Sequence, residues 1–193
     1  MLNDVERDAL IDLARRSVVA AVTGSASPGR LDVPLPDASG VFVTIKRRGE
    51  LRGCLGTLQC HAGLGSEVAR CASDAALEDP RFPPVTSEEL PDLSIEVSVL
   101  GPLERIDPRD PVAIAIGRHG LVVEQGIRRG LLLPQVATEW GWTVGQFLRQ
   151  ACLKAGLPSD AWERGAAVSR FEAQVFGDPD PGSRIPDHDR IVP

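Results

Sequence analysis

The chain has 193 residues, of which 42% are hydrophobic and 25% charged, so it carries enough apolar side chain to fold around a core of its own. A formal net charge of -6 and an aromatic fraction of 4% argue against a surface built mainly to bind nucleic acid, which needs positive charge and stacking rings. The longest apolar runs are far shorter than the roughly 20 residues of a membrane-spanning helix. The acidic N-terminal segment does not resemble a secretory signal, so we expect a cytosolic (cytoplasmic) protein whose four cysteines are reduced.

The first quarter of the chain predicts a helix, a loop and a β-hairpin. Asn3 and Glu6 have the spacing of a capping box, and apolar residues then recur at helical spacing, which predicts a helix over residues 4–22. Proline and glycine interrupt residues 23–38, which we interpret as a surface loop. Alternating apolar and polar residues before and after a central turn predict the hairpin, over residues 41–57.

Further elements follow in chain order. A helical stripe starts at Leu64 and must end before Pro80, because proline disfavours helical geometry in the residue before it. Residues 79–84 are then a rigid loop, and Leu93–Leu100 alternates as a half-buried strand with Glu96 on its polar face. The remaining predicted elements are a hairpin over 121–133, a helix over 144–155 and a strand over 168–176.

The order of these elements predicts an α+β fold. Helices and strands are mixed rather than strictly alternating, which favours a largely antiparallel mixed sheet with flanking helices. We expect one domain over residues 1–177. From residue 178 to residue 193 the chain is acidic and rich in proline, which predicts a flexible tail.

The strand around Cys54 has an unusual composition. Gly53 and Gly56 give up side-chain packing within a predicted strand, which indicates that another group approaches the backbone closely. On a regular strand Arg52 and Cys54 project to the same face, so a guanidinium beside the sulfur would favour its thiolate form. The alternative is a small buried thiol beside a β-bulge, since free cysteine is among the most buried residue types.

A reactive thiol needs a proton acceptor, for which the sequence offers few candidates. Glu96 is one, although a charged residue on the polar face of a strand is usually just solvated. His119 is another, in a predicted turn where a histidine is more often an exposed side chain. His188 lies in the tail. His61 stands near three cysteines, but their spacings do not match those of zinc sites, so we predict no metal site.

The remaining features of the sequence are one charged pair and two motifs that it lacks. Asp79 and Arg81 flank Pro80, where they either pair with each other or bind a carboxylate or phosphate through the arginine. The chain contains no nucleotide-binding glycine loop and no serine-hydrolase elbow, so no cofactor is predicted.

Several spaced motifs carry a family resemblance. They are LRGCLGT at 51–57, DPRFPP at 79–84, IEVSVL at 95–100, HGL at 119–121 and RRGLLLPQVA at 128–137. Together they resemble the AMMECR domain, the family also called AmmeMemoRadiSam system protein A. The resemblance runs through roughly residues 5–177, and Leu55 stands where the family commonly has isoleucine.

The resemblance implies a larger and a smaller α+β subdomain sharing one core, with a cleft between them. It also implies two partners, a Memo-type protein and a radical S-adenosylmethionine protein, but it names no reaction. The positions that match the family motifs are Leu51, Arg52, Gly53, Cys54, Gly56, Thr57, Asp79, Arg81, Phe82, Glu96, His119 and Gly120.

Two hypotheses for function remain open. In the first, the chain is an enzyme in which Cys54 is the nucleophile or carrier, Arg52 stabilises charge, and Glu96 or His119 transfers protons. Its ligand would also contact Gly53, Gly56, Thr57, Asp79, Arg81 and Phe82. In the second, the same site binds a small ligand or a partner protein without catalysis. A third hypothesis, an RNA-associated factor, is disfavoured by the net charge.

Overall fold

The computed structural model describes residues 2–29, 31 and 33–178. The helices are α1 (Asp4–Thr23), α2 (Leu64–Leu77), α3 (Pro134–Glu139) and α4 (Val144–Lys154), with a 3₁₀ turn at Leu90–Asp92. The strands are β1 (Gly40–Arg47), β2 (Glu50–Thr57), β3 (Leu93–Leu100), β4 (Glu104–Arg105), β5 (His119–Gln125), β6 (Arg128–Leu132) and β7 (Ala167–Gly177). The α+β prediction is therefore confirmed. His188 and the predicted tail from residue 179 onward lie outside the described residues.

The local signals in the sequence explain where several helices begin and end. The side chain of Asn3 accepts a hydrogen bond from the backbone of Glu6, and the Glu6 carboxylate accepts one from the backbone of Asn3, so the predicted capping box starts α1. Helix α1 ends at Gly24, which adopts the left-handed conformation that glycine tolerates best. Short elements without a strong periodic signal, such as α3 and β4, were not predicted.

The chain divides into two compact units. The first comprises the described residues within Met1–Ser98 and Val175–Pro193, and the second is Val99–Gln174. In the first unit the strands are ordered β2-β1-β3, so β2 is an edge strand. Strands β1 and β2 form the predicted hairpin, antiparallel, with Arg48 and Gly49 in its turn.

The core of the first unit lies between this sheet and its two helices. Val41, Val43 and Ile45 point from β1 into the core and are fully buried. Helix α2 packs on β1 and β2 and also contacts α1. Strand β3 differs from its predicted half-buried character, because every residue in it except Glu96 is buried.

The second unit is built around β5, which pairs with β6 on one side and β7 on the other, both antiparallel. Its core includes Phe147, Leu148 and Cys152 from α4, packed against Leu121 and Val123 of β5. Helix α4 begins with a capping box formed by Thr143 and Gln146.

No helix in the described part of the chain combines the length and the apolar character needed to cross a membrane.

Candidate functional site

The thiol of Cys54 lies on the face of the sheet that is turned away from α2. Cys54 is paired with Thr44 across the β1–β2 hairpin, and the hydroxyl of Thr44 donates a hydrogen bond to Sγ of Cys54 over 3.2 Å. Directly paired residues project to the same face, so both side chains stand on this surface. Cys54 is partly exposed. The sulfur therefore combines access to solvent with a hydrogen-bond donor that is able to stabilise negative charge on it.

The backbone of Cys54 is held by two side chains from the loop after α2. Because β2 is an edge strand, its outward N–H and C=O groups have no neighbouring strand to pair with. Oδ2 of Asp79 accepts from the N–H of Cys54 at 2.8 Å, and Nη2 of Arg81 donates to the C=O of Cys54 at 3.1 Å. This pair of side chains substitutes for the missing strand at the position of the thiol.

Asp79 and Arg81 are joined to each other by a bidentate ion pair, as one of the two sequence interpretations predicted. Nε of Arg81 lies 2.9 Å from Oδ1 and Nη2 lies 2.6 Å from Oδ2 of Asp79. The side chain of Arg81 is 54% exposed, so its charge remains in contact with water, whereas the side chain of Asp79 is only 2% exposed. Arg81 also stacks over the ring of Phe82, 5.5 Å from its centroid.

Arg81 brings a positive charge next to Cys54, because its Nη2 lies 3.1 Å from the carbonyl oxygen of that residue. The pKa of Arg81 is raised, first by its hydrogen bond with Asp79 and by the charge of that residue, and further by the proximity of its guanidinium to the Cys54 sulfur. The predicted contact between Arg52 and the sulfur is not formed. Arg52 directs its donors to Glu89 and to the carbonyl groups of Pro83 and Pro84.

A bulge in the hairpin explains this correction. Gly53 is paired with Ile45, but Lys46 is paired with Leu51, so Arg52 is an extra residue without a partner in the ladder. The strict alternation of faces that placed Arg52 beside Cys54 is interrupted there. The side chain of Arg52 therefore points to the loop that follows α2, and its hydrogen bonds hold that loop against the edge strand β2.

Glu89 is the residue of this loop that accepts hydrogen bonds from both Arg47 and Arg52. Its carboxylate accepts from Arg52 at 2.8 and 3.0 Å, from Arg47 at 3.1 Å and from the backbone N–H of Thr86 at 2.9 Å. Its side chain is 10% exposed and that of Arg52 is 13% exposed. The hydrogen bond from Arg52, supported by the N–H of Thr86 and by the charges of both arginines, lowers the pKa of Glu89 to about 2.

The glycines beside Cys54 are explained by contacts within the protein. A methyl group at Gly53 would lie 2.1 Å from the carbonyl oxygen of Ala75 in α2. At Gly56 it would lie 2.3 Å from Cδ1 of Phe42. The groups that approach this strand closely are therefore helix α2 and the Phe42 ring. Thr57 closes the strand through hydrogen bonds in both directions with the backbone of Gln59.

Glu96 shares the face of Cys54 but is not its direct partner. Nζ of Lys46 lies 3.1 Å from Oε2 of Glu96, and Lys46 is two residues from Thr44 on the same face of β1. Since β1 separates β2 from β3, the Cα atoms of Cys54 and Glu96 are about 10 Å apart or more, at roughly 4.8 Å per strand spacing. Proton transfer between them would require an intervening water molecule.

His119 lies in the second unit, whereas Cys54, Arg52 and Glu96 lie in the first. It begins β5, and only 7% of its surface is exposed, which differs from the predicted exposed turn. Its Nδ1 accepts a hydrogen bond from the N–H of Ala115 at 3.0 Å, so the proton of the neutral ring resides on Nε2. Burial, and then the charges of Arg170 and Arg118, lower the pKa of His119.

The other three cysteines differ from Cys54 in their surroundings. Cys71 and Cys152 are buried in their helices, as predicted. Burial raises the pKa of Cys71 to about 11 and also raises that of Cys152. The pKa of Cys60 is raised by partial burial and by the charge of Glu67. Burial thus disfavours the thiolate form of all three.

The sequence interpretation missed Thr44, Lys46 and Glu89. A regular register from the turn at Arg48 and Gly49 would pair Thr44 with Gly53, and only the bulge at Arg52 brings Thr44 opposite Cys54, so the turn alone does not identify it. No local signal identifies Glu89, whose partner Arg52 is 37 residues away in the sequence.

Across residues 2–29, 31 and 33–178, there is no group of three or more His, Cys, Asp or Glu side chains arranged to hold a metal ion.

The ionisation of Asp79 and Glu89 predicts acid sensitivity. Arg81, with the N–H of Cys54, holds the pKa of Asp79 well below its usual range, and Arg52 does the same for Glu89. Their stabilisation is complete above the unfolded-state pKa values of about 4 and is lost as the pH falls towards 2. We expect the urea midpoint to fall steeply between about pH 4.5 and 2, and the Glu89→Gln variant to show a shallower fall. Equal slopes in the two proteins would contradict the assignment.

An α+β fold with an Arg-Gly-Cys-Leu-Gly edge strand, fastened to an Asp-Pro-Arg loop, defines the class of this protein. The chain belongs to the AMMECR1 family, whose family model matches residues 11–176. A protein of Methanothermobacter thermautotrophicus is 47% identical over 176 residues, covering 86% of this chain and 91% of the relative. One from Methanosarcina acetivorans is 41% identical, covering 96% and 98%.

A solved structure supports the fold directly. The crystal structure of the uncharacterized protein PH0010 from Pyrococcus horikoshii matches with a TM-score of 0.81 and 42% sequence identity. The match covers 92% of this chain and 93% of that one.

Proposed function

We propose that this protein acts through Cys54, whose thiol forms the centre of a reaction or ligand site on the first unit. The observation that carries the proposal is a partly exposed sulfur that accepts a hydrogen bond from the Thr44 hydroxyl, in a residue whose carbonyl group is bound by the Arg81 guanidinium. A thiolate is the nucleophilic form of cysteine, and donors or cations beside it favour that form. Arg70 donates to the sulfur of Cys71, but that cysteine is buried, and at the partly exposed Cys60 burial and the charge of Glu67 outweigh the charge of Arg70.

The test is the rate at which each cysteine reacts with iodoacetamide at pH 7, followed peptide by peptide with mass spectrometry. With a pKa of about 11, Cys71 is ionised in roughly one molecule in ten thousand at this pH. We expect Cys54 to react at least about a hundredfold faster than Cys71 and Cys152 and about tenfold faster than Cys60. A Cys54 rate no higher than those of the two buried cysteines would overturn the proposal.

Thr44 provides a matched pair of variants. Thr44→Val keeps the shape of the side chain but removes the donor, and hydrogen bonds to charged groups contribute about 1.5–3 kcal/mol. We expect labelling of Cys54 to slow by about tenfold in Thr44→Val and to change little in Thr44→Ser, which keeps the hydroxyl. The labelling rate of Cys60 in the same samples is the control, because it rises if the substitution loosens the fold as a whole.

A second candidate function, a non-catalytic ligand- or protein-binding module, is favoured because three carboxylates of the first unit, the nearest of them bound to the backbone of Cys54, are already paired with cations. Asp79 and Glu89 are held ionised by arginines, and Glu96 is paired with Lys46. A binding module retains its ligand when the thiol is replaced, whereas a covalent site does not. Native mass spectrometry of the wild type and Cys54→Ser, each purified from its own cells, separates these two: a bound molecule retained in both favours the module.

Family membership supports a further element of the proposal, that this protein works with a Memo-type protein and a radical S-adenosylmethionine protein. Affinity capture of the tagged chain from its native cells tests it. We expect both proteins to be enriched over a capture with an unrelated tagged protein. Recovery of neither under mild crosslinking would count against the partnership and leave the Cys54 proposal untouched.

A further inference from the structure

We infer that the ligand recognised at Cys54 is a small electrophile carrying a negatively charged group, a carboxylate or phosphate, that Arg81 binds. The inference rests on the proposed function, because it assumes that the Cys54 thiol reacts. It adds the chemical class of the molecule with which the thiol reacts.

The Arg81 guanidinium is held in a fixed position next to Cys54. Nε and Nη2 are held by both oxygens of Asp79, and Nη2 also donates to the C=O of Cys54. Within the described residues Nη1 has no protein partner, and the side chain is 54% exposed. A guanidinium that is already immobilised loses little entropy when it binds an anion, and the two N–H groups of Nη1 remain able to donate to an oxyanion.

The face of the sheet around Cys54 has a cationic side chain on one side and an aromatic ring on the other. Lys46 adds a positive charge about 7 Å along β1 from Thr44, at two strand residues. On the other side of the Thr44–Cys54 pair, the Phe42 ring lies over Gly56, which has no side chain to displace it. The thiol is thus placed between an apolar wall and a cationic end, an arrangement that fits a small molecule with one apolar and one anionic part.

The carboxylates of Asp79 and Glu96 do not cancel the attraction of this site for an anion, because both are already paired with cations. Asp79 lies behind Arg81, with 2% of its side chain exposed and both oxygens already accepting hydrogen bonds. It orients the guanidinium but presents no free oxygen to a ligand. Glu96 is bound to Lys46, so that cation contributes less than Arg81. The overall charge of the chain is -6, so any preference for an anion must arise locally.

The test compares two reagents of similar size, iodoacetate and iodoacetamide. In both, the Cys54 thiolate attacks the methylene carbon, the carbon–iodine bond breaks, iodide leaves, and the thiol proton is taken up by the buffer. The measured quantity is the ratio of the iodoacetate rate to the iodoacetamide rate. We expect this ratio to be at least about fivefold higher for Cys54 than for Cys60 in the same sample at low salt, and to fall as salt screens the contact.

Two variants assign the effect to Arg81. Arg81→Gln should lower the Cys54 ratio to that of Cys60, whereas Thr44→Ser should leave it high. Because Arg81→Gln leaves the Asp79 carboxylate buried without its cation, the double variant Asp79→Asn, Arg81→Gln provides a second, charge-balanced form. A high ratio that persists in the folded double variant would overturn the inference.

The outcomes distinguish this inference from the proposed function. If Cys54 reacts rapidly with both reagents but its ratio equals that of Cys60, the anion inference is wrong and the reactive thiol stands. If Cys54 reacts with neither reagent faster than Cys71, both are wrong.

Discussion

Replacing Glu89 by glutamine is expected to lower the free energy of unfolding by about 3 kcal/mol, measured by urea denaturation at pH 7. The glutamine has nearly the same shape but no charge, so Arg52, which is 13% exposed, loses the only carboxylate that it contacts among the described residues. Removing one partner of a buried ion pair is costly because the other charge stays away from water. Arg47 loses part of its pairing as well.

The neighbouring position offers a control. Glu88 is exposed and contacts neither arginine, so Glu88→Gln should leave the urea midpoint unchanged. If both variants have the midpoint of the wild type, the fastening of the loop to β2 through Glu89 does not contribute to stability.

Replacing Gly53 by alanine is expected to cost at least about 3 kcal/mol of unfolding free energy, because the added methyl group meets backbone rather than a movable side chain. The added carbon would lie 2.1 Å from the carbonyl oxygen of Ala75, so α2 must move away from β2. That displacement exposes part of the core that α2 covers on the β1–β2 hairpin.

Gly65 is the matched control for this substitution. It lies in α2, and a methyl group there meets only leucine side chains, the nearest at 3.4 Å. Alanine is favoured over glycine in a helix by roughly 1 kcal/mol, so Gly65→Ala should be neutral or stabilising. Equal destabilisation by the two variants would show that the close contact with α2 is not the reason why position 53 requires glycine.

The sequence predicts the elements of this fold well where local signals are strong. The capping box at Asn3 and Glu6, and the proline that limits α2, depend on residues close together in the chain. They are governed by backbone geometry and hydrogen bonding within a few residues, which a single sequence displays directly. The α+β class follows from the order of such elements.

The side-chain partners in the site depend on contacts between distant residues and were harder to predict. The bulge turns Arg52 away from the sulfur to Glu89, and Arg81, 27 residues further along the chain, contacts the backbone of Cys54 instead. His119 was expected to be exposed because its burial comes from packing in the second unit, not from its neighbours in sequence. The glycines correctly indicated a close approach, but not that α2 and Phe42 are the groups that approach.

The most direct test of the central claim is a crystal structure of the protein after reaction with one equivalent of iodoacetate at pH 7. We expect a carboxymethyl group on Sγ of Cys54, with its carboxylate within hydrogen-bond distance of the Arg81 guanidinium, while Cys71 and Cys152 stay unmodified. A structure in which Cys60 carries the label and Cys54 remains a free thiol would contradict it.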